Sequence, residues 1–261
     1  MDWLPVTPGG EIQIEGQTFA VQPFYVARYL VTYCQFQAFV DAPDGFRNER
    51  WWVGMPDQYQ RQAMSSAVAQ YDNYPRDSVS WYQSVAFSRW LNDRCRGLVL
   101  PNPANEQAAV WKVNEEAEIR LPTEWEWQWM AQHGTEARKY PWGEWDGNPR
   151  ANTTEAGIGD RSTAVGMYPQ GAAASGALDV AGNLWEWCLN DRKNPEIVNG
   201  YSNEESKVLR GGSFSHVQPF AAASCRSSNN PYSRDYNYGF RLVVAAPIAS
   251  LASDSLNSES L

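Results

Sequence analysis

The residues able to do chemistry in this chain are few and scattered. Cys34, Cys95, Cys188 and Cys225 lie far apart with no C-x-x-C pair, a pattern of inert thiols rather than a disulfide frame or a zinc site. The only imidazoles belong to His133 and His216, and one ring without partners seldom makes a metal site, so His216 reads as a loop histidine. Glu124, Glu126 and Glu186 stand in tryptophan-rich frames, EWEW and LWEW. Paired carboxylates can act as acid and base, but structural ion pairs or calcium ligation suit these frames better. G-x-S-x-G, a P-loop, H-E-x-x-H and G-x-G-x-x-G are all missing. No catalytic residue is assigned.

The elements that would position such groups are short. TYCQFQAFV (32–40) reads as a helix, and SWYQSVAFSRWLN (80–92) as a second one, capped by Ser80 with Trp81, Val85, Phe87/Ser88 and Leu91 forming an apolar stripe. A third is expected to begin at LPTEWEWQWMA, with Pro122 in its first turn and Thr123 and Glu124 at its positive end. Long Gly-, Pro- and Asn-rich connections separate these segments, well beyond the usual handful of residues. Thirteen tryptophans supply support for such loops, because an indole buries much area while its N–H reaches backbone carbonyls.

Composition excludes several partners. The 261 residues carry a formal charge of −9, with no basic stripe to release counterions, so nucleic acid is not expected to bind. The first residues lack a basic start and an apolar run, and no segment approaches the roughly 20 apolar residues of a membrane span, so a cytoplasmic location without membrane contact is expected. One domain over 1–244 and a mobile tail over 245–261 (AAPIASLASDSLNSESL) are expected. Nothing in the sequence calls for a second copy, and a monomer is the expectation.

PFYVARYLVTYCQFQAFV, SVSWYQSVAFSRWLN, RLPTEWEWQWMA, YPWG, ALDVAGNLWEW, LRGGSF and GFRLV occur in this order, and the order resembles that of formylglycine-generating enzymes and their relatives. The resemblance covers nearly everything from Pro8 to Val244. It implies an α+β, loop-rich variant of the C-type-lectin fold, with a few helices and small antiparallel sheets. The resembling oxidases hold copper with two cysteines five positions apart after the RGGS motif. Here those places fall on His216 and Ala221 counting forward, and the second on Gln218 counting backward, so no register gives a thiolate pair. The iron-dependent relatives use histidines, of which this chain has too few. Neither copper nor iron is expected, and the chain is expected not to be an enzyme.

The resemblance also implies calcium. Carried over residue by residue, the carboxylates of Asp179 and Glu186 and the carbonyls of Gly182 and Leu184 would be its ligands, hard oxygens around a glycine bend. A second calcium maps to Asn152 and Thr153, with Asp160 as a candidate partner.

The stretch from Phe214 to Tyr238 has a different character. Apart from Gln218, all its residues can be encoded by triplets ending in a pyrimidine, and Trp, Lys, Glu and Met are absent. It resembles the variable region of proteins diversified by retroelements, in which adenine positions are rewritten; many such proteins use this lectin-like fold. The resemblance implies a non-catalytic binding protein whose ligand, expected to be a protein, meets a variable region of about 209–242. The binding residues would be Phe214, Ser215, His216, Val217, Phe220, Ser228, Asn229, Asn230, Tyr232, Ser233, Asp235, Tyr236 and Tyr238. The tyrosines beside Ser and Asn repeat the recipe of antibody paratopes, and Tyr236 and Tyr238 would share a direction in an extended chain. The alternatives are an oxidase relative with altered chemistry and a fixed adaptor or sensor domain.

Overall fold

A computed structural model describes residues 1–105 and 107–248. The strands are β1 (Trp3–Val6), β2 (Gly10–Ile14), β3 (Gln17–Val21), β4 (Phe24–Ala27), β5 (Val99–Leu100), β6 (Trp111–Lys112), β7 (Glu118–Arg120), β8 (Trp185–Asp191), β9 (Lys207–Arg210), β10 (Arg226–Asn229), β11 (Tyr238–Gly239) and β12 (Val243–Ala245). One sheet, ordered β1-β4-β12-β7, joins the two ends of the domain, and Val26 faces Val243 across it. A second, ordered β10-β9-β8-β11, frames the segment from Phe214 to Tyr238; β2-β3 and β5-β6 are two-stranded ribbons.

Each helix begins where a side chain can satisfy its free amides. Thr32, Ser80 and Thr123 cap α1 (Tyr33–Asp41), α2 (Trp81–Arg94) and α3 (Glu124–Gln132), and Gln35, Gln83 and Glu126 return the bond to the cap backbone. Pro122 therefore precedes the third helix instead of opening its first turn, because Thr123 takes the cap position. The expected stripe on α2 understates its burial. Tyr82, Gln83, Ser84, Ala86 and Trp90 are buried as well, since the helix lies between the main core and the turn holding Trp51 and Trp52.

Indole N–H groups tie the loops to this core. Trp52 donates to Phe46 O at 2.9 Å, Trp81 to Cys188 O at 2.8 Å and Trp187 to Val79 O at 3.0 Å. Such bonds satisfy carbonyls that no strand partner reaches. The domain also runs past the expected boundary at Val244: Ala245 is buried in β12, and Ile248 packs on the main core. The rest of the expected tail, 249–261, lies outside the described residues.

Candidate functional site

The segment from Phe214 to Tyr238 is pinned to β8 on both sides. Its entry strand β9 pairs antiparallel with β8, Glu186 facing Arg210, and its exit strand β11 pairs parallel with the same strand, Tyr238 facing Trp185. Between them β10 folds back on β9, with Arg226 opposite Arg210. Gly211 follows β9 at a φ of +91°, where an added Cβ would fall 2.8 Å from Val180 O and 3.1 Å from the Trp127 ring. A side chain has no room there. At the other end Phe240, fully buried, meets Phe87 and Phe36 edge-on at 5.6 and 6.1 Å.

Arginines lock this frame to the helices. Arg241 places Nε 2.6 Å from Glu186 Oε2 and Nη2 2.7 Å from Oε1, while Trp127 Nε1 donates to Oε2 at 2.8 Å. Arg226 grips Glu124 through Nε and Nη2, and its Nη1 lies 2.6 Å from Glu15. Arg120 takes both oxygens of Glu126, at 2.7 and 2.8 Å. All three tryptophan-framed glutamates thus neutralise a guanidinium in bidentate or near-bidentate pairs, an arrangement that fixes geometry.

The surface held by this frame is narrower than the sequence suggests. Val217, Phe220 and Tyr236 stand out, 46%, 43% and 40% exposed. Ser215, His216, Ser228, Asn229, Asn230, Ser233 and Asp235 are half-buried. Phe214 is turned inward, 2% exposed, beside Leu30 and Leu184; it is a support for Tyr236, whose ring lies 5.6 Å away. Tyr232 stacks on Tyr59 at 4.8 Å, and Tyr238 meets Trp187 edge-on at 5.4 Å. Their hydroxyls accept from Asn230 and Asn229 at 2.9 and 2.8 Å. Tyr236 and Tyr238 do not share a face: the strand there is only Tyr238–Gly239, and the two rings find different partners.

Sequence reasoning also missed two walls. The connection between the first two helices buttresses the exit side, through Tyr59, through Ala63 O accepting from Arg234 Nη1 at 2.6 Å, and through Ser78 N donating to Asp235 O at 3.2 Å. On the entry side Thr154 N donates to His216 O at 3.1 Å, and Gly157, Gly159 and Asp160 line a cleft with Phe214, Ser215 and Tyr236. The glycine spacing near 157–159 was the only local signal for that loop.

The positions matching the oxidases' cysteines diverge. His216 Nδ1 lies 2.8 Å from Ser213 Oγ, and its ring meets Trp185 and Phe220 edge-on. Burial pulls its pKa below the ordinary imidazole value. Ala221 is buried, and Gln218 Nε2 donates to Tyr140 Oη at 3.0 Å. Burial pushes the Cys225 thiol above its usual pKa, the reverse of an activated thiolate.

Among the described residues no three His, Cys, Asp or Glu side chains come together to hold a metal ion, so calcium at Asp179 would depend on backbone carbonyls as well as carboxylates. Asp179 Oδ2 accepts from Gly166 N at 2.7 Å and the residue is held at a φ of +55°. Burial raises its carboxyl to about 6, with Arg241 lowering it and Glu186 raising it further. Two carboxylates against one guanidinium leave an uncompensated buried charge. Among the described residues the carbonyls of Gly182 and Leu184 accept no backbone hydrogen bond outside regular elements. Asp179, Gly182, Leu184 and a remaining lone pair of Glu186 would hold calcium, which would neutralise that charge. At the second position Asn152 Oδ1 is buried without a partner among the described residues, whereas Asp160 is exposed on the cleft.

This frame, with its small sheets, three helices and long supported loops, defines a C-type-lectin-like domain of the formylglycine-generating-enzyme type. The solved structure of Treponema denticola variable protein 1 has the same fold, with a TM-score of 0.63 and 21% identity over 94% of this chain and 95% of that one. Residues 5–246 match the sulfatase-modifying factor enzyme 1-like domain, and the chain belongs to that family. It is similar to the formylglycine-generating enzyme of Streptomyces coelicolor, 27% identical over 89% of this chain and 82% of the relative. It is 28% identical to a hercynine oxygenase of Mycolicibacterium thermoresistibile over 85% of this chain, and spans about half (51%) of that relative's length. An inactive C-alpha-formylglycine-generating enzyme 2 of Mus musculus is 27% identical over 75% of this chain and 58% of the relative. The family therefore contains enzymes and proteins that are not.

Proposed function

We propose that this chain is a non-catalytic ligand-binding protein whose segment between Phe214 and Tyr238 has been written by a diversity-generating retroelement. The observation that carries this reading is the contrast between the segment's exposed tips and its frame. Val217, Phe220 and Tyr236 are open to solvent, while Arg210, Ser213, Phe240 and Arg241 are 0% exposed. The tips can change while the frame keeps its contacts. Likeness in fold to a variable protein supports the reading, and so does the replacement of the oxidase cysteines by His216 and Ala221. The ligand on this reading is a protein, and calcium at Asp179 to Glu186 is structural.

The test needs only genomic DNA. An imperfect repeat of the codons for Leu209 to Leu242, differing almost solely at adenines and lying near a reverse-transcriptase gene, is expected. A locus without one rejects diversification. Separately, purified protein given copper(I) and a sulfatase-type peptide is expected to make no formylglycine; an aldehyde product lost on Cys225→Ser would restore the oxidase reading.

A further inference from the structure

Arg76, in the connection between the first two helices, is 4% exposed and has no carboxylate bonded to it. Its main chain is spent on the core: the amide donates to Val31 O at 2.8 Å, and the carbonyl oxygen lies 3.1 Å from the place a Cβ on Gly239 would take. The side chain carries the guanidinium past the Phe36 ring, Cζ standing 5.6 Å from its centre, to Ser65, where Nη2 donates to the carbonyl oxygen at 2.7 Å. Ser65 and Arg76 both line a cleft of about 270 Å³ between α1 and the 64–70 strap, and Arg76 is the one charged residue among those that line it. Nη1 has no partner among the described residues. The acidic neighbour Asp77 gives its oxygens to Val68 N, at 3.0 and 3.1 Å, and to Ser78 Oγ at 2.8 Å. Burial lowers the pKa of the guanidinium, and the field of Asp77 offsets only part of that. A buried cation with an unfilled donor costs free energy that an anion would recover.

The cover over this group is weakly held. Among the described residues, Met64, Ser65 and Ser66 make one hydrogen bond, the one from Arg76, so the strap can yield locally to a ligand. A guanidinium presents its N–H groups in one plane, which matches a carboxylate. Val40 and Met64 offer that ligand an apolar wall, and Ser66 and Gln70 are uncharged. A phosphate dianion would bring a second negative charge that no lining residue meets. We infer that the cleft beside Arg76 binds a monocarboxylate with a short apolar tail, supplied as a free acid or as the C-terminal residue of a peptide. The cleft lies outside the Phe214 to Tyr238 segment, so the inference stands apart from the binding-surface reading.

The experiment is an NMR titration of the full chain at fixed ionic strength, using sodium butyrate, butyramide, N-acetyl-alanyl-valine and the C-terminal amide of that dipeptide. A carboxylate is expected to shift the amide signals of Ser65, Ser66 and Gln70 and to saturate. Its neutral amide is expected to bind about tenfold or more weaker, the size of a hydrogen bond to a charged group. Gln70→Glu, a change at an exposed position on the rim, is expected to weaken the carboxylate about threefold through like charge. Selective binding of butyrate alone assigns the cleft to free acids, and selective binding of the dipeptide alone assigns it to chain termini; either supports the inference. Both acids matching their amides, chloride shifting the same signals as strongly, unchanged affinity in Gln70→Glu, or no saturable shift up to the solubility limit overturns it.

Discussion

Arg226, on the edge strand β10, and Glu124, in the first turn of α3, are joined by two parallel hydrogen bonds across 102 residues of chain. The pair ties β10 to α3, in addition to its pairing with β9 and the bond from Asn229 to Tyr238. Glu124 is fully buried, so removing Arg226 strips it of both its hydrogen-bonded contacts with that guanidinium and leaves only Arg210, 3.7 Å away, as a cation. Arg226→Ala is expected to cost about 3–5 kcal/mol. Thermal and denaturant melting would measure this; a loss under about 1 kcal/mol, the level of a surface pair, would show the pair to be incidental.

The tyrosines between Phe214 and Tyr238 divide by packing. Tyr236→Ser is expected to change stability by no more than about 0.5 kcal/mol, as for an exposed side chain. Tyr232→Ser loses the stack on Tyr59, and Tyr238→Ser the contact with Trp187; each is expected to cost about 1–3 kcal/mol. Three melting curves decide it, and equal midpoints for all three variants would contradict the contacts.

Phe240 gives the upper limit of the frame's contribution. Ringed by Phe36 and Phe87 and fully buried, it should lose about 3–5 kcal/mol on replacement by Ala. A Phe240→Leu variant, which keeps most of the volume, should recover much of the loss in the same melts.

Asp179 makes a prediction about pH and calcium together. Burial pushes its carboxyl up to about 6, above the ordinary aspartate range. A raised acid favours the folded state while protonated, so its contribution is present below about pH 4 and is lost as pH rises through 6. In EDTA, Asp179→Asn is expected to remove that decline, gaining on the order of 3 kcal/mol over wild type at pH 7. Added calcium should reverse the order, raising the midpoint of wild type and not of the variant. Calcium and EDTA giving the same wild-type curve at pH 7 would remove the cation from this site.

The parts of this molecule that can be read from its sequence are those decided locally or by close framing. Ser80 caps its helix because its hydroxyl reaches an amide three residues on, and such bonds need no tertiary context. The motifs LRGGSF and GFRLV mark the two ends of the segment in the sequence, because a glycine such as Gly211 is dictated by its own backbone conformation. The fate of Tyr232 was not legible in the same way. Its ring could face solvent or Tyr59, and only the path of an aperiodic connection, with no helix or strand pattern of its own, brings Tyr59 beneath it. The same holds for Pro122, a good first-turn residue displaced by a better cap at Thr123. Glu186 reads from its tryptophan-rich frame as an ion-pair or calcium carboxylate, yet its pairing with Arg241 depends on the parallel approach of β11 to β8, a contact with no signature in either segment.

On the diversification proposed above, the stack of Tyr232 on Tyr59 limits what rewriting of this segment could yield. A process that rewrites codons blindly strikes an embedded ring as often as an exposed one, yet the outcomes differ. Changes at Tyr236 yield folded molecules with new surfaces; changes at Tyr232 or Tyr238 yield a share that never accumulates. The usable repertoire is therefore smaller than the codon arithmetic, and biased. Among surviving siblings, novelty should concentrate around the entry loop and Tyr236, while the positions leaning on Tyr59 and Trp187 drift mainly between aromatic residues.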